Sequence, residues 1–553
     1  MPTRRWFLPA AFLCSLAACL TPIANLDLPW HLSAGRYIVE HRQVPTVDFL
    51  SWTKAGEPWI DFEWGTEVLD HKLAAAGGVA ALWLFKVAVF AALMALFVAF
   101  LRLRRLPDLW IALALPPFVL SLVPFVDIRP ELASYLFCLA QLYVLEARRA
   151  GALRLKPVAL LLLHAALYAL WANLHAGFPL GLALCLLYGA GEAAEGKPDG
   201  LWFGLAAAGL FGTLLNPYGP RIYAVFLSHW EQMASLRHYV LQWGPLNPMN
   251  LFQRMSALLF AFCAAALAFV FVSGRRPPYA HALTVAGFGL LAAFASRQAA
   301  YLSLTAFPLA LSAFEPLPSP SWWTRLRPYA LGALLVFLGA TGFQVLRNGR
   351  LFSGIDATGR RSPVAACDFL KRNKDVLAPL RLYNSWNYGG YVGYALGPDF
   401  KVFMDGRYLF TEFLPLIQRA LRGPAAWQEF LKERGVELVI VEKTGIAVNV
   451  PNGRTVIRRP IDVFFMPQSE WALVYWDSRA EVFVRRSAAP RDWLQRNEFR
   501  AIFPGDEQFM TLRLLGGALP PAAALAEVSR YVGEIHDPAE SEKLARWARE
   551  FQK

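Results

Sequence analysis

Residues 79–101 are apolar at every position except Lys86, and 255–272 form a second predominantly apolar run. A chain cannot hide many such stretches in a water-soluble core. As helix, each needs roughly 20 residues to cross a hydrocarbon layer. Inside that layer every backbone polar group must be bonded within the protein, which leaves helices or closed barrels. The composition agrees: 56% of residues are hydrophobic and only 17% are charged, with a mean hydropathy of +0.35. The expected fold class is an α-helical polytopic membrane protein. Hydropathy places about eleven crossings, at 6–24, 77–101, 109–126, 132–147, 157–172, 178–191, 201–215, 252–273, 279–296, 300–314 and 328–346.

The net charge of +13 does not point to nucleic acid. Many basic residues sit in short loops beside apolar segments: Arg4 and Arg5, Arg102 to Arg105, Arg148 to Lys156, Arg275 and Arg276, Arg325 and Arg327. Loops of this kind face the cytoplasm. The expected location is a bacterial inner membrane, with a cytoplasmic N-terminus. Leu16-Ala17-Ala18-Cys19 has the look of a lipoprotein cleavage box, but residue 25 is external under either reading. The six cysteines form no CxxC pair, so neither a zinc site nor a disulfide framework is indicated.

That orientation defines the domains. Residues 1–346 would form the transmembrane domain, with a large, Trp-rich first outer loop at 25–76 that lies along the interface and holds a short helix at 30–41. Residues 347–490 would form a periplasmic α/β domain, read from helix 364–374, strands 381–385 and 401–405, helices 412–422 and 425–434, and strands 436–442, 471–476 and 481–485. Residues 491–553 read as a charged helical tail.

The polar clusters fall at the external segment ends. Asp27 lies four residues before His31, on one helix face; it suits a general base or a helix N-cap. Asp48, Asp61 and Glu63 suit a divalent cation, acceptor orientation, or plain solvated loop chemistry. Asp127-x-Arg129-x-Glu131 places ionisable groups beside hydrocarbon, which suggests function; a mutually neutralised turn would look the same. His175, beside Asn173, suits a proton shuttle or metal, or a structural role. Arg221 opens an aromatic loop fit for a sugar or for an interfacial belt. Arg297 could grip a lipid-linked phosphate bidentately or snorkel to headgroups. Tyr388 lies in Tyr383-Asn-Ser-Trp-Asn-Tyr-Gly-Gly-Tyr391, and Asp405-Gly406-Arg407 ends an expected strand. Ligands bind at strand ends, and tight turns occur there too.

The string Asp27…Gly35…Pro45..Asp48..Ser51…Gly56..Trp59….Trp64 is similar to the first loop of the GT-C superfamily of polytopic glycosyltransferases. The helix-rich body and outer domain fit that resemblance. It implies a sugar donor linked to polyprenyl phosphate in the bilayer, and a glycan, lipid or protein acceptor. It also implies that Asp27 is the catalytic base or helps a divalent cation, magnesium or manganese, orient the acceptor, with Asp127 or Glu131 assisting. His31, Asp48, Glu63, Arg129, Glu131, His175, Arg221, Arg297, Tyr388, Asp405 and Arg407 would then line substrate. Two departures stand out. There is no WWDYG signature, and Asp27 is followed by Leu28 rather than by a second acid. The rival expectation is a non-catalytic scaffold of envelope-polysaccharide synthesis that keeps the architecture. A transporter fits less well, because Lys86 is the main charge buried mid-segment.

Overall fold

The computed structural model describes residues 7–227, 237–239, 241–274, 276–313, 362–452, 455–535 and 537–550, with a few helical positions between 332 and 343. The chain divides into two compact units. One comprises residues 1–25, 34–44 and 60–355; the other comprises 26–33, 45–59 and 356–553.

The first unit is helical. Each expected segment from 6–24 to 300–314 contains a helix, while 328–346 lies outside the fully described residues. Trp64–Leu103, Pro157–Leu174 and Arg254–Val272 are long and apolar enough to cross a membrane. Phe7–Ala17, Asp108–Leu122, Phe178–Ala194, Gly200–Thr213 and Tyr279–Phe294 are shorter apolar helices. Trp64–Leu103 starts before the expected boundary and kinks at Gly77-Gly78, where Gly78 has φ +59°. A side chain would be strained there. The segment after Arg297 passes through a π-helical turn at Leu302–Ala306. Pro157–Leu174 packs on Gly200–Thr213, and Phe178–Ala194 on Tyr279–Phe294. Large apolar side chains remain outside these contacts, among them Phe211 at 65% and Leu290 at 71% exposure. Apolar area costs roughly 25 cal/mol per Å² in water, so continuous faces of this kind fit lipid rather than solvent.

One buried charge locks the turn that precedes Glu131–Arg149 in the first unit. Lys86 is 1% exposed and bonds Thr21 O at 2.8 Å and Thr21 Oγ1 at 3.0 Å. It also lies 3.7 Å from Asp127. Asp127 accepts the backbone N–H groups of Ala24 and Ile128, each at 2.8 Å.

The second unit holds an α/β domain. Its sheet runs β1 (Leu382–Asn384), β2 (Leu438–Glu442), β6 (Ala480–Arg485), β5 (Trp471–Trp476). β1 and β2 are parallel and the other pairings antiparallel. The parallel pair requires a crossover, which the helices Trp386–Leu396, Phe413–Ala420 and Pro424–Glu433 provide. A separate hairpin, β3 (Ala447–Asn452) and β4 (Thr455–Pro460), was not foreseen. Its sequence is polar and basic, without the alternation that marks a half-buried strand.

Three expectations are corrected here. Residues 401–405 are not a sheet strand. Their apolar side chains are buried, but the backbone pairs with the first loop: Trp52 N–H donates to Val402 O at 3.0 Å and Val402 N–H to Leu50 O at 3.2 Å. The first-loop tryptophans do not all seek an interface. Trp30 and Trp59 are buried, and Trp52 Nε1 donates to Leu382 O at 2.8 Å. Finally, 491–550, expected as a charged helical tail, is built of helices that pack into the core of the domain. Tyr531 stacks on Trp476 at 4.3 Å, and Trp493, Phe499 and Trp547 join the same core.

Candidate functional sites

Within the first unit, four segment ends bring Glu63, Glu131, His175 and Arg297 together. Glu63 precedes the helix Trp64–Leu103, Glu131 opens Glu131–Arg149, His175 caps Pro157–Leu174, and Arg297 sits in the turn Ser296–Gln298. Arg297 Nη2 bonds Glu131 Oε1, and its guanidinium lies 5.4 Å from the Trp243 ring centre. His175 Nδ1 accepts the Gly177 N–H at 3.0 Å and the Ser134 hydroxyl at 2.6 Å. Ser134 Oγ in turn accepts Trp171 Nε1–H at 2.6 Å. With Nδ1 committed as acceptor, a neutral imidazole carries its proton on Nε2, 3.6 Å from Glu63 Oε1.

Burial pushes the His175 pKa down to about 4; the negative charge of Glu131 opposes this and the positive charge of Arg297 reinforces it. The imidazole is therefore neutral at physiological pH. A folded pKa below the ordinary 6.5 means that the unfolded chain binds the proton first. This contribution to stability is complete above about pH 6.5 and is lost as pH falls toward 4. Detergent-solubilised wild type should lose more melting temperature between pH 6.5 and 4.5 than His175→Gln. Parallel losses in the two proteins would contradict the assignment.

Arg129 lies beside this cluster, and its charge acts on Glu131. Its Nε is buried without a hydrogen-bond partner among the described residues. The expected neutralisation of Arg129 by its own turn is not what forms. Glu131 takes Arg297, and Asp127 takes Lys86. Asp127, expected as a second catalytic acid, holds residues 21–24 through the Ala24 N–H and Lys86. Arg221 is exposed on the short turn Gly219–Arg221, with no bond to the cluster among the described residues.

The second unit assembles Asp27, His31, Asp48, Tyr388, Asp405 and Arg407. Asp27 precedes the helix Leu28–His41, and its carbonyl accepts Trp30 N–H at 3.1 Å and His31 N–H at 3.2 Å. The His31 ring is buried against Trp30, with centroids 3.6 Å apart. The two motifs of the α/β domain close on this segment. A side chain at Gly406 would put its Cβ 2.1 Å from Asp27 Oδ1, and one at Gly390 would come 2.8 Å from Leu26 O. The glycines thus permit close backbone approach to the Asp27 segment.

Arg407, 2% exposed, anchors the arrangement. Its Nε and Nη2 grip Asp405 at 2.8–3.0 Å, and Nη1 lies 2.7 Å from Asp48 Oδ1. The guanidinium sits 4.6 Å from the Trp59 ring centre and 5.3 Å from that of Phe410. Asp48 is further held by the N–H and hydroxyl of Ser51. These three charged groups satisfy one another in the interior, and Tyr388 donates to Arg479 O at 2.9 Å. These contacts fix the four side chains in the interior. Trp30, Ser134 and the role of Gly406 were not foreseen. Trp30 was the most legible, lying three residues after Asp27.

Among the described residues, no three His, Cys, Asp or Glu side chains converge closely enough to hold a metal ion. The chemistry proposed below uses protein side chains.

The oligosaccharyltransferase AglB from Archaeoglobus fulgidus, solved with an inhibitory peptide and a dolichol-phosphate, matches 97% of this chain and 87% of its own. The TM-score is 0.56 at 11% identity. The A. fulgidus oligosaccharyltransferase in its apo form matches 80% of this chain and 70% of its own, with a TM-score of 0.51 at 10% identity. The chain shares their fold. ArnT from Cupriavidus metallidurans, bound to undecaprenyl phosphate, aligns over 88% of this chain and 98% of its own at TM-score 0.47 and 14% identity. No protein-family model and no curated protein sequence matches.

Proposed function

We propose that this protein is a glycosyltransferase of a bacterial inner membrane, with the N-terminus cytoplasmic and the C-terminal domain periplasmic. It transfers a sugar from a polyprenyl-phosphate-linked donor to a glycan, lipid or protein acceptor. The observation that carries this reading is the cluster of Glu63, Glu131, His175 and Arg297 at the ends of apolar helices, in a fold shared with an oligosaccharyltransferase. Ionised groups beside hydrocarbon are costly and are retained for function.

In the proposed reaction the acceptor hydroxyl gives its proton to Asp27. The oxygen attacks the anomeric carbon, the bond from that carbon to the phosphate oxygen breaks with inversion, and polyprenyl phosphate leaves. Arg129 receives the phosphate charge better than the expected Arg297, because Arg297 is already spent on Glu131.

Arg129→Gln should raise the KM for donor about tenfold to a hundredfold, the weight of a charge-assisted hydrogen bond lost from a phosphate. Titration of membrane vesicles with extracted polyprenyl-phosphate sugars measures this. An unchanged KM would remove Arg129 from the donor site.

One observation favours the scaffold instead. Asp127, Glu131, Asp48 and Asp405 are all paired with bases, as a protein without chemistry would leave them. A strain carrying Asp27→Asn with an unchanged envelope-glycan profile would select that reading.

A further inference from the structure

A cavity of about 150 Å³ lies in the first unit, lined by Arg104, Arg276 and His281 and by apolar Leu267, Val270 and Val285. Its basic residues sit at the ends of three helices: Arg104 caps Trp64–Leu103, Arg276 follows Arg254–Val272, and His281 lies in the first turn of Tyr279–Phe294. These ends carry the basic loops that the sequence assigns to the cytoplasm, away from the segment ends that hold Glu131 and His175.

Two of the three basic groups are held in place. Glu146, fully buried, accepts Arg104 Nη1 at 3.2 Å, bonds His281 Nε2 at 2.8 Å and accepts the Tyr188 hydroxyl at 2.9 Å. Arg276 is exposed and has no carboxylate partner among the described residues. Arg104 is offset by Glu146, and the neighbouring Arg149 by Glu192 and Glu195, while the cavity lining itself holds no carboxylate to offset Arg276. Just before Arg276 in the chain, Phe271 and Val272 are exposed, and the cavity wall is apolar.

We propose that this cavity binds the phosphate of an anionic phospholipid, with an acyl chain against the apolar wall. Basic pockets between membrane helices suit such headgroups, and a guanidinium contacts phosphate oxygens in a fixed geometry. A zwitterionic headgroup would bring its cation toward Arg276. Free phosphate would leave the apolar wall uncovered. The assignment does not depend on the transfer reaction.

Native mass spectrometry of the detergent-purified protein tests it, using dioleoylphosphatidylglycerol, dioleoylphosphatidylcholine and inorganic phosphate as probes. Wild type should bind the anionic lipid in preference to both others, and Arg276→Gln should weaken that binding about tenfold. Arg276 is exposed and unpaired with an acid, so the variant should melt where wild type does. The proposal is overturned if Arg276→Gln retains full affinity, if phosphatidylcholine binds as well, or if inorganic phosphate at equal concentration displaces the anionic lipid.

Discussion

Asp27→Asn should fold like wild type and transfer sugar about 10²- to 10⁴-fold more slowly, the usual worth of a placed general base. The substitution separates the two roles open to this residue. Asparagine caps a helix as well as aspartate does, and the Asp27 carbonyl that accepts the Trp30 and His31 N–H groups is unchanged.

 The side chain is also nearly the same size, so the close approach of Gly406 to Oδ1 is kept. Only the basicity is lost. Transfer by membrane vesicles, normalised to protein level, gives the comparison. Full activity would make Asp27 a cap and nothing more.

Arg407→Leu should destabilise the C-terminal unit by about 3–5 kcal/mol, the cost of stranding a buried charge by removing its partner. Here two carboxylates are stranded, Asp48 at 2% and Asp405 at 1% exposure. Arg407→Lys should recover little, because an ammonium cannot bond Asp405 through two nitrogens and still reach Asp48. Denaturant titration followed by tryptophan fluorescence reads this unit through Trp59, whose ring lies 4.6 Å from the guanidinium. An unchanged midpoint in Arg407→Leu would show that the acids are held by other groups.

The helical segments were legible because burying a helix in lipid leaves a plain apolar run. The strands at 382–384, 438–442, 471–476 and 480–485 were legible as short apolar stretches between turns. Residues 401–405 misled for the same reason: an apolar stretch signals burial, and burial does not say whether the backbone pairs within a sheet or with residues 50–52. The site was legible in its residue types and not in its pairings. Nothing local to Asp127 indicates Lys86, 41 positions away in the chain. Nothing local to Arg407 indicates Asp48. Such long-range pairs depend on how the chain folds back. A Gly389-Gly390 pair permits close backbone approach, but the sequence does not say what approaches.

The most direct measurement is the product itself. Purified protein in liposomes would be supplied with polyprenyl-phosphate sugars and acceptors extracted from the cell envelope, and free polyprenyl phosphate followed by mass spectrometry. Wild type should release it as the glycosylated acceptor accumulates, and Asp27→Asn should not. Equal release from the two proteins, or none above empty liposomes, would contradict the account.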